Sequence, residues 1–267
     1  TKDRSKMVTV IPYTKNREVI YDMLTRAKKF HCSVGGTYEF DVTDLLTKVR
    51  NAKHAGKEVS LMACMVKATS LVMDRHPRFN HHMFHGLFGK KEVSFDHISC
   101  NMVVARQNTK GEKVIFPLIL KNSHQMSLEE ITKVIHHNRT ADLETLPQVK
   151  VFEKMKKTPR LALRWFSYKV RSDPKFYEKY FGTFGLSSMV RRGWGATAGH
   201  SLSNTGSAFL PGTILERPTV VDGEIQIRKI LFMMLLVDHY ILDGMDMLEG
   251  MKTMHDLLAH PEMLGLD

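Results

Sequence analysis

Cysteine is scarce in this chain and long apolar runs are missing from it. Cys32, Cys64 and Cys100 are the only thiols in 267 residues, and no two of them stand at Cys-x-x-Cys spacing. An odd, scattered set argues against a disulfide framework and against a zinc module, and leaves buried free thiols as the expectation. No stretch reaches the ~20 apolar residues of a membrane-spanning helix. No charged-then-apolar leader opens the sequence, so an intracellular location, cytoplasmic or mitochondrial matrix, is expected. Acidic residues are the third shortage: 28 Asp and Glu face 39 Lys and Arg, a formal charge of +11. That balance favours anionic partners. No finger, helix-turn-helix or aromatic RNA-binding signature accompanies it, so nucleic acid is not expected. A phosphate-rich cofactor or an anionic membrane surface explains the charge as well.

What is present fits one large α/β domain over 1–267, long enough to bury a sizeable core. Val8–Pro12 is expected as a short strand. Thr14 is a cap candidate for a helix carrying Val19, Ile20, Met23, Leu24 and Ala27 on one side. Thr37–Thr43 alternates like a strand, and a helix from Asp44 to Ala52 follows. Ser60 caps a helix over Leu61–Arg75, apolar on nearly every side and stopped by His76-Pro77. His81, His82 and His85 lack a carboxylate or cysteine at ligand spacing; a loop of solvated or hydrogen-bonded histidines is expected there, and no metal. Val93–Arg106 and Lys113–Leu120 read as strands joined by Gln107–Gly111. Ser127-Leu128-Glu129-Glu130 is a capping box opening a helix through Asn138.

Residues 145–182 are basic and aromatic together: Lys150, Lys154, Lys156, Lys157, Arg160, Arg164, Lys169, Arg171, Lys175 and Lys179 interleave with Phe152, Trp165, Phe166, Tyr168, Phe176, Tyr177, Tyr180 and Phe181. Helices of this composition lie on anionic membranes. They also occur as ordinary helices packing an aromatic stripe on a core, and that is the expectation here.

The sequence is organised around Leu235-Leu236-Val237-Asp238-His239-Tyr240-Ile241-Leu242-Asp243-Gly244. Ile230–Val237 is an uninterrupted apolar run and reads as a buried strand, so His239 stands where that strand leaves the core. Asp243-Gly244 reads as a turn into a helix bearing Met247, Leu248, Met251, Met254, Leu257 and Leu258, with Asp246 near its start, where the helix dipole favours an anion. Upstream, Arg217–Ile225 with Arg228-Lys229 reads as a hairpin.

His239-x-x-x-Asp243-Gly244 behind that hairpin resembles the active-site motif of the 2-oxo acid dehydrogenase acyltransferase catalytic domain, within the chloramphenicol acetyltransferase-like superfamily. The likeness runs through Arg17 near the first helix start, through Lys67, His76, Pro77 and Asn80, through Pro117, and through Gly182–Met189, where Ser187 matches the family's serine. Ser201–Gly206 ranks second for that role. Gly185 stands where the family has a β-branched residue, Tyr240 replaces the arginine of the family's Asp-His-Arg, and 145–182 departs from the pattern.

The resemblance implies a two-layer fold of mixed β-sheet packed with helices. It implies an enzyme that moves an acyl group between a coenzyme A thioester and an acceptor, a lipoyl thiol or another small nucleophile, without an acyl-serine intermediate. His239 is then the general base, Ser187 the donor to the oxyanion, and Arg17 a coenzyme A contact. Asp243 is expected to fix the loop through buried contacts. The family assembles as trimers, so each site is expected between two subunits. No lipoyl attachment is expected in this chain. Two other classes stay open: a non-catalytic scaffold, and a basic membrane-associated module.

Overall fold

Ile230–Val237 does become a strand, and it runs further back than its apolar core. The computed structural model of the protein describes residues 15–266 apart from 109, 110, 112 and 203; the expected Val8–Pro12 strand and Thr14 cap lie outside them. The elements are α1 (Lys15–Phe30), β1 (Ser33–Asp41), α2 (Thr43–His54), α3 (Leu61–Arg75), β2 (His81–Gly86), β3 (Gly89–Ser94), β4 (Cys100–Gln107) and β5 (Lys113–Leu120). They continue with α4 (Leu128–Thr140), α5 (Pro147–Lys157), α6 (Arg160–Ser172), α7 (Pro174–Phe181), β6 (Phe184–Leu186), β7 (Arg191–Arg192), β8 (Ser207–Val221), β9 (Glu224–Asp238) and α8 (Gly244–Ala259).

The main sheet has the order β1-β9-β8-β6-β4-β5, with β7 paired to β8 off that path. It is mixed: β1/β9, β9/β8 and β4/β5 are antiparallel, whereas β4/β6, β6/β8 and β7/β8 are parallel. β9 lies between β1 and β8, which explains why every residue from Ile230 to Asp238 is buried and why the run shows no alternation. β8 and β9 turn through Asp222 and Gly223 at φ 52° and 83°, the mirror-image turn whose twist suits a two-residue hairpin.

Helices α2, α3, α4 and α8 supply most of the non-sheet core, and α3 is buried on nearly every side between α4 and α8. Ser60 Oγ accepts the Ala63 N–H, and Ser127 with Glu130 completes its capping box. Lys67, His76 and Asn80 act as struts. Lys67 Nζ donates to the carbonyls of His124 and Met126 at 2.6 and 2.8 Å, His76 Nε2 meets Thr253 Oγ1 at 2.7 Å, and Asn80 Nδ2 donates to Phe95 and His97. α8 crosses the Phe79 ring at Gly250, where a Cβ would lie 2.6 Å from the ring. Gly250→Val is therefore expected to overpack this crossing by about 1–3 kcal/mol, read as a lower Tm; an unchanged Tm would mean that α8 can slide.

Four expectations need correction. His81, His82 and His85 are not in a loop but on β2, which pairs with β3 in a separate two-stranded sheet. Val93–Arg106 is not one strand: the Asn80 side chain holds the carbonyls of Phe95 and His97, so residues 95–99 leave the ladder between β3 and β4. The helix expected to end at Asn138 runs to Thr140. Cys64 and Cys100 are buried thiols, their acidity suppressed by desolvation, whereas Cys32 is exposed.

Residues 145–182 fold as α5, α6 and α7. Val170, Tyr177, Phe166, Phe176 and Phe181 pack with Phe84 and Val93 of the β2–β3 hairpin and with Phe95 just beyond it into a second, smaller core. That meets the expectation of a packed aromatic stripe, although Leu161 and Trp165 on the other side of α6 stay exposed.

Candidate active site

Beyond Asp238 the chain makes one tight turn before α8, and its hydrogen bonds converge on two residues. The Asp238 carbonyl accepts the N–H groups of Ile241 (2.9 Å) and Leu242 (3.1 Å), which closes the turn. The Asp238 carboxylate is buried; Oδ1 accepts the N–H of Cys32 at 3.1 Å and of Tyr240 at 3.2 Å, and Oδ2 faces His31 Nδ1 at 2.6 Å. The Cys32 carbonyl in turn accepts the His239 N–H at 2.8 Å. Arg78 clamps the far side, donating to the Ile241 carbonyl and to Asp246 Oδ1. A turn tied at both ends holds a ring better than packing alone.

The His239 ring is half exposed, and its Nδ1 lies 2.9 Å from the Leu242 carbonyl. A carbonyl only accepts, so Nδ1 carries the proton of the neutral ring and Nε2 keeps its lone pair. That is the state a general base requires. Asp243 Oδ1 is also near Nδ1, at 3.5 Å, and favours the same tautomer.

Asp243 itself departs from expectation. Its side chain is 75% exposed rather than buried, and its N–H donates to the Asp246 carboxylate at the start of α8. The buried anchoring foreseen for Asp243 is done by Asp238, five positions earlier in the motif. Burial pushes the Asp238 carboxyl up, but the His31 hydrogen bond and charge and the two N–H donors outweigh it and hold the group below the usual carboxylate range.

Ser187 follows β6. Gly182, at φ 62°, passes so close to Ser99 that a Cβ would sit 2.6 Å from its carbonyl oxygen, and buried Thr183 exchanges bonds with Ser99. A Cβ at Gly185 would meet Ala208 Cβ at 3.2 Å, so the narrow approach of β6 to β8 accounts for glycine there. Ser187 N–H bonds the Phe209 carbonyl and its side chain is partly exposed. The parallel register sets Ser187 opposite Leu210, and Leu210 opposite Met234, five residues before His239 on the next strand. At ~3.3 Å per residue and ~4.8 Å per strand, Ser187 and His239 of one chain are roughly 15–20 Å apart. The structure does not bring them together within one subunit.

Ser201 lies exposed in a loop, and Ser203 is outside the described residues. Arg17 is in the first turn of α1; its side chain is outside the described residues. Among the described residues no group of three His, Cys, Asp or Glu can hold a metal, and no helix is long and apolar enough to cross a membrane. Sequence reasoning missed His31, Asp238 and Arg78. Only Asp238 left a signal, as the residue preceding the motif histidine.

Comparison with known proteins points to one family. The family model "2-oxoacid dehydrogenases acyltransferase (catalytic domain)" matches residues 5–164 and 202–266, leaving the Ser187 segment outside the match. The dihydrolipoyllysine-residue succinyltransferase component of the 2-oxoglutarate dehydrogenase complex of Cupriavidus necator is 27% identical over 241 residues, covering 85% of this chain and 46% of that protein. The dihydrolipoyllysine-residue acetyltransferase component of the pyruvate dehydrogenase complex of Acholeplasma laidlawii is 25% identical over 268 residues, covering 97% of this chain and 42% of its own. This chain thus spans about half the length of the curated relatives it matches. In fold it is similar to the cubic core of a pyruvate dehydrogenase multienzyme complex, with TM-score 0.65, 17% identity and 99% and 96% of the two chains covered.

Proposed function

The chain belongs to the family of 2-oxoacid dehydrogenase acyltransferase catalytic domains, and from that premise we propose that it moves an acyl group between a coenzyme A thioester and a small nucleophile, a lipoyl dithiol or another thiol, with His239 as general base. The observation that carries this reading is the bond from His239 Nδ1 to the Leu242 carbonyl, which leaves Nε2 free to take a proton. In the direction from coenzyme A, Nε2 accepts the acceptor's S–H proton as sulfur attacks the thioester carbonyl. The developing oxyanion needs a donor, and Ser187 supplies its hydroxyl. Collapse expels the coenzyme A thiolate, which takes back the proton from the imidazolium. No acyl group rests on the protein.

Within one chain Ser187 is too far from His239 to serve it. We therefore place each site between neighbouring subunits of a homotrimer, with His239 from one and Ser187 from the next. In a ring each contact joins two different patches, so such pairing repeats around the axis and leaves no site incomplete. Tyr240 stands where the family carries arginine, and Lys90 lies over its ring at 6.0 Å, so this chain brings its cation to the turn from the β2–β3 hairpin.

The test is release of free coenzyme A thiol from acyl esters of differing chain length, read with candidate acceptors. No transfer from any acyl-CoA to lipoamide or to another thiol would sink the proposal. Coenzyme A carries several phosphate charges, and Arg17 lies in the positively polarised first turn of α1. Arg17→Ala is accordingly expected to weaken coenzyme A binding several-fold and to flatten its salt dependence. Equal affinity for wild type and variant at low and high salt removes Arg17 from the site.

A further inference from the structure

On the side of the sheet, the hydrogen bonds that hold the His239 turn pass through Asp238 and through its neighbour Cys32, just ahead of β1. What faces Asp238 therefore decides where the His239 ring points. The side chain that does so is His31, with Nδ1 2.6 Å from Oδ2 and both side chains largely shielded from water.

His31 is surrounded by other cationic or potentially cationic groups. From β2, His82 lies 5.1 Å away between ring centroids and His85 6.5 Å away. Burial, then the nearness of His31 and His85, pushes the His82 imidazole well below its usual range; burial and His31 lower His85 as well. Both are thus neutral neighbours at working pH. From α6, Arg171 is engaged by the His85 carbonyl and lies over the rings of Phe30 and Tyr168. From α7, Tyr177 stacks on His82. Within this cluster the donor that meets the carboxylate is His31.

We infer that His31 is a positioning residue for acyl transfer: its Nδ1–H, donated to Asp238, keeps the carboxylate turned toward the Cys32 and Tyr240 N–H groups and so aims His239 at its substrate. The inference rests on the proposed role of His239. Without His31 the buried carboxylate loses its shortest hydrogen bond, and it either rotates or takes up a proton. In both cases its two main-chain donors are loosened. The turn then relaxes.

The experiment uses the protein as isolated and three substitutions. Asparagine sets its amide nitrogen near the imidazole Nδ1 position, glutamine near Nε2, and leucine has no donor. His31→Asn is expected to keep kcat within a few-fold of wild type. His31→Gln and His31→Leu are expected to lose about 10–100-fold in kcat with KM for acyl-CoA unchanged, as a misaimed base would. In an Asp238→Asn background the leucine change should add little, since the two residues act as a unit. Equal activities of the asparagine and glutamine variants, a leucine variant within a few-fold of wild type, or costs that multiply in the double variant would each overturn the inference. Should the leucine variant fail to fold by circular dichroism, the asparagine–glutamine comparison decides alone. A fully active His239→Ala would instead remove the base reading beneath it, whereas a dead His239→Ala beside indifferent His31 variants removes only the positioning role.

Discussion

Replacing His239 by alanine is expected to lower kcat by about 10²–10⁴-fold and to leave the fold untouched. The magnitude follows from the role proposed for the ring, removal of a proton from a thiol as sulfur attacks, and no other described side chain is tied into the turn with a free imidazole nitrogen at its surface. The fold is safe because the ring is half exposed and gives a single bond to the Leu242 carbonyl, while the main-chain bond to Cys32 survives the substitution. Tm within a degree or two of wild type, binding of coenzyme A unchanged and turnover nearly gone is the signature. Turnover within a few-fold of wild type would take His239 out of the mechanism.

The second large effect is a rescue. His239→Ala and Ser187→Ala are each expected to be nearly inactive. Unfolded and refolded together in equal amounts, they should recover about a quarter of the wild-type sites, because a wild-type histidine from one kind of chain then meets a wild-type serine from the other at one interface in four. The motivation is the separation of the two side chains within one subunit, set by the register across β6, β8 and β9. Two variants that exchange subunits, as shown by mass tagging, and yet stay as inactive as their parents would rule out the shared site. A monomer in solution by light scattering would rule it out sooner.

Much of this architecture could be read before any coordinates. The apolar run of β9, the all-round apolar α3 behind its Ser60 cap and the Arg217–Arg228 hairpin are local patterns, and local patterns survive folding. The His-x-x-x-Asp-Gly turn was legible for the same reason. What escaped was contact over distance. His31 and Asp238 are 207 positions apart, and neither residue type in isolation announces a partner. The three histidines of β2 flank Met83 and Phe84 in an order that matches no strand template, because their strand pairs in a separate small sheet with only β3. Spacing from His239 points to Asp243 as the anchor, whereas the anchor is Asp238, the residue that ends the strand. That distinction needs the direction of a side chain, which spacing does not give.

The pairing of β1 with β9 sets an order of events for the nascent chain. Ser33 lies opposite Asp238 and Asp41 opposite Ile230, so β1, the first described strand of the sheet, has its lateral partner in β9, the last described one. Contacts of such sequence separation are slow to form, since a long loop must close before they are rewarded. The β4–β5 hairpin and the helices around α3 need no such wait. Until β9 arrives, β1 offers an unpaired edge, the kind of surface on which chains associate wrongly. Because the His239 N–H bonds the carbonyl of Cys32, just ahead of β1, that late pairing also completes the His239 turn. If His239 acts as proposed, recovery of activity on refolding reports closure of this one seam.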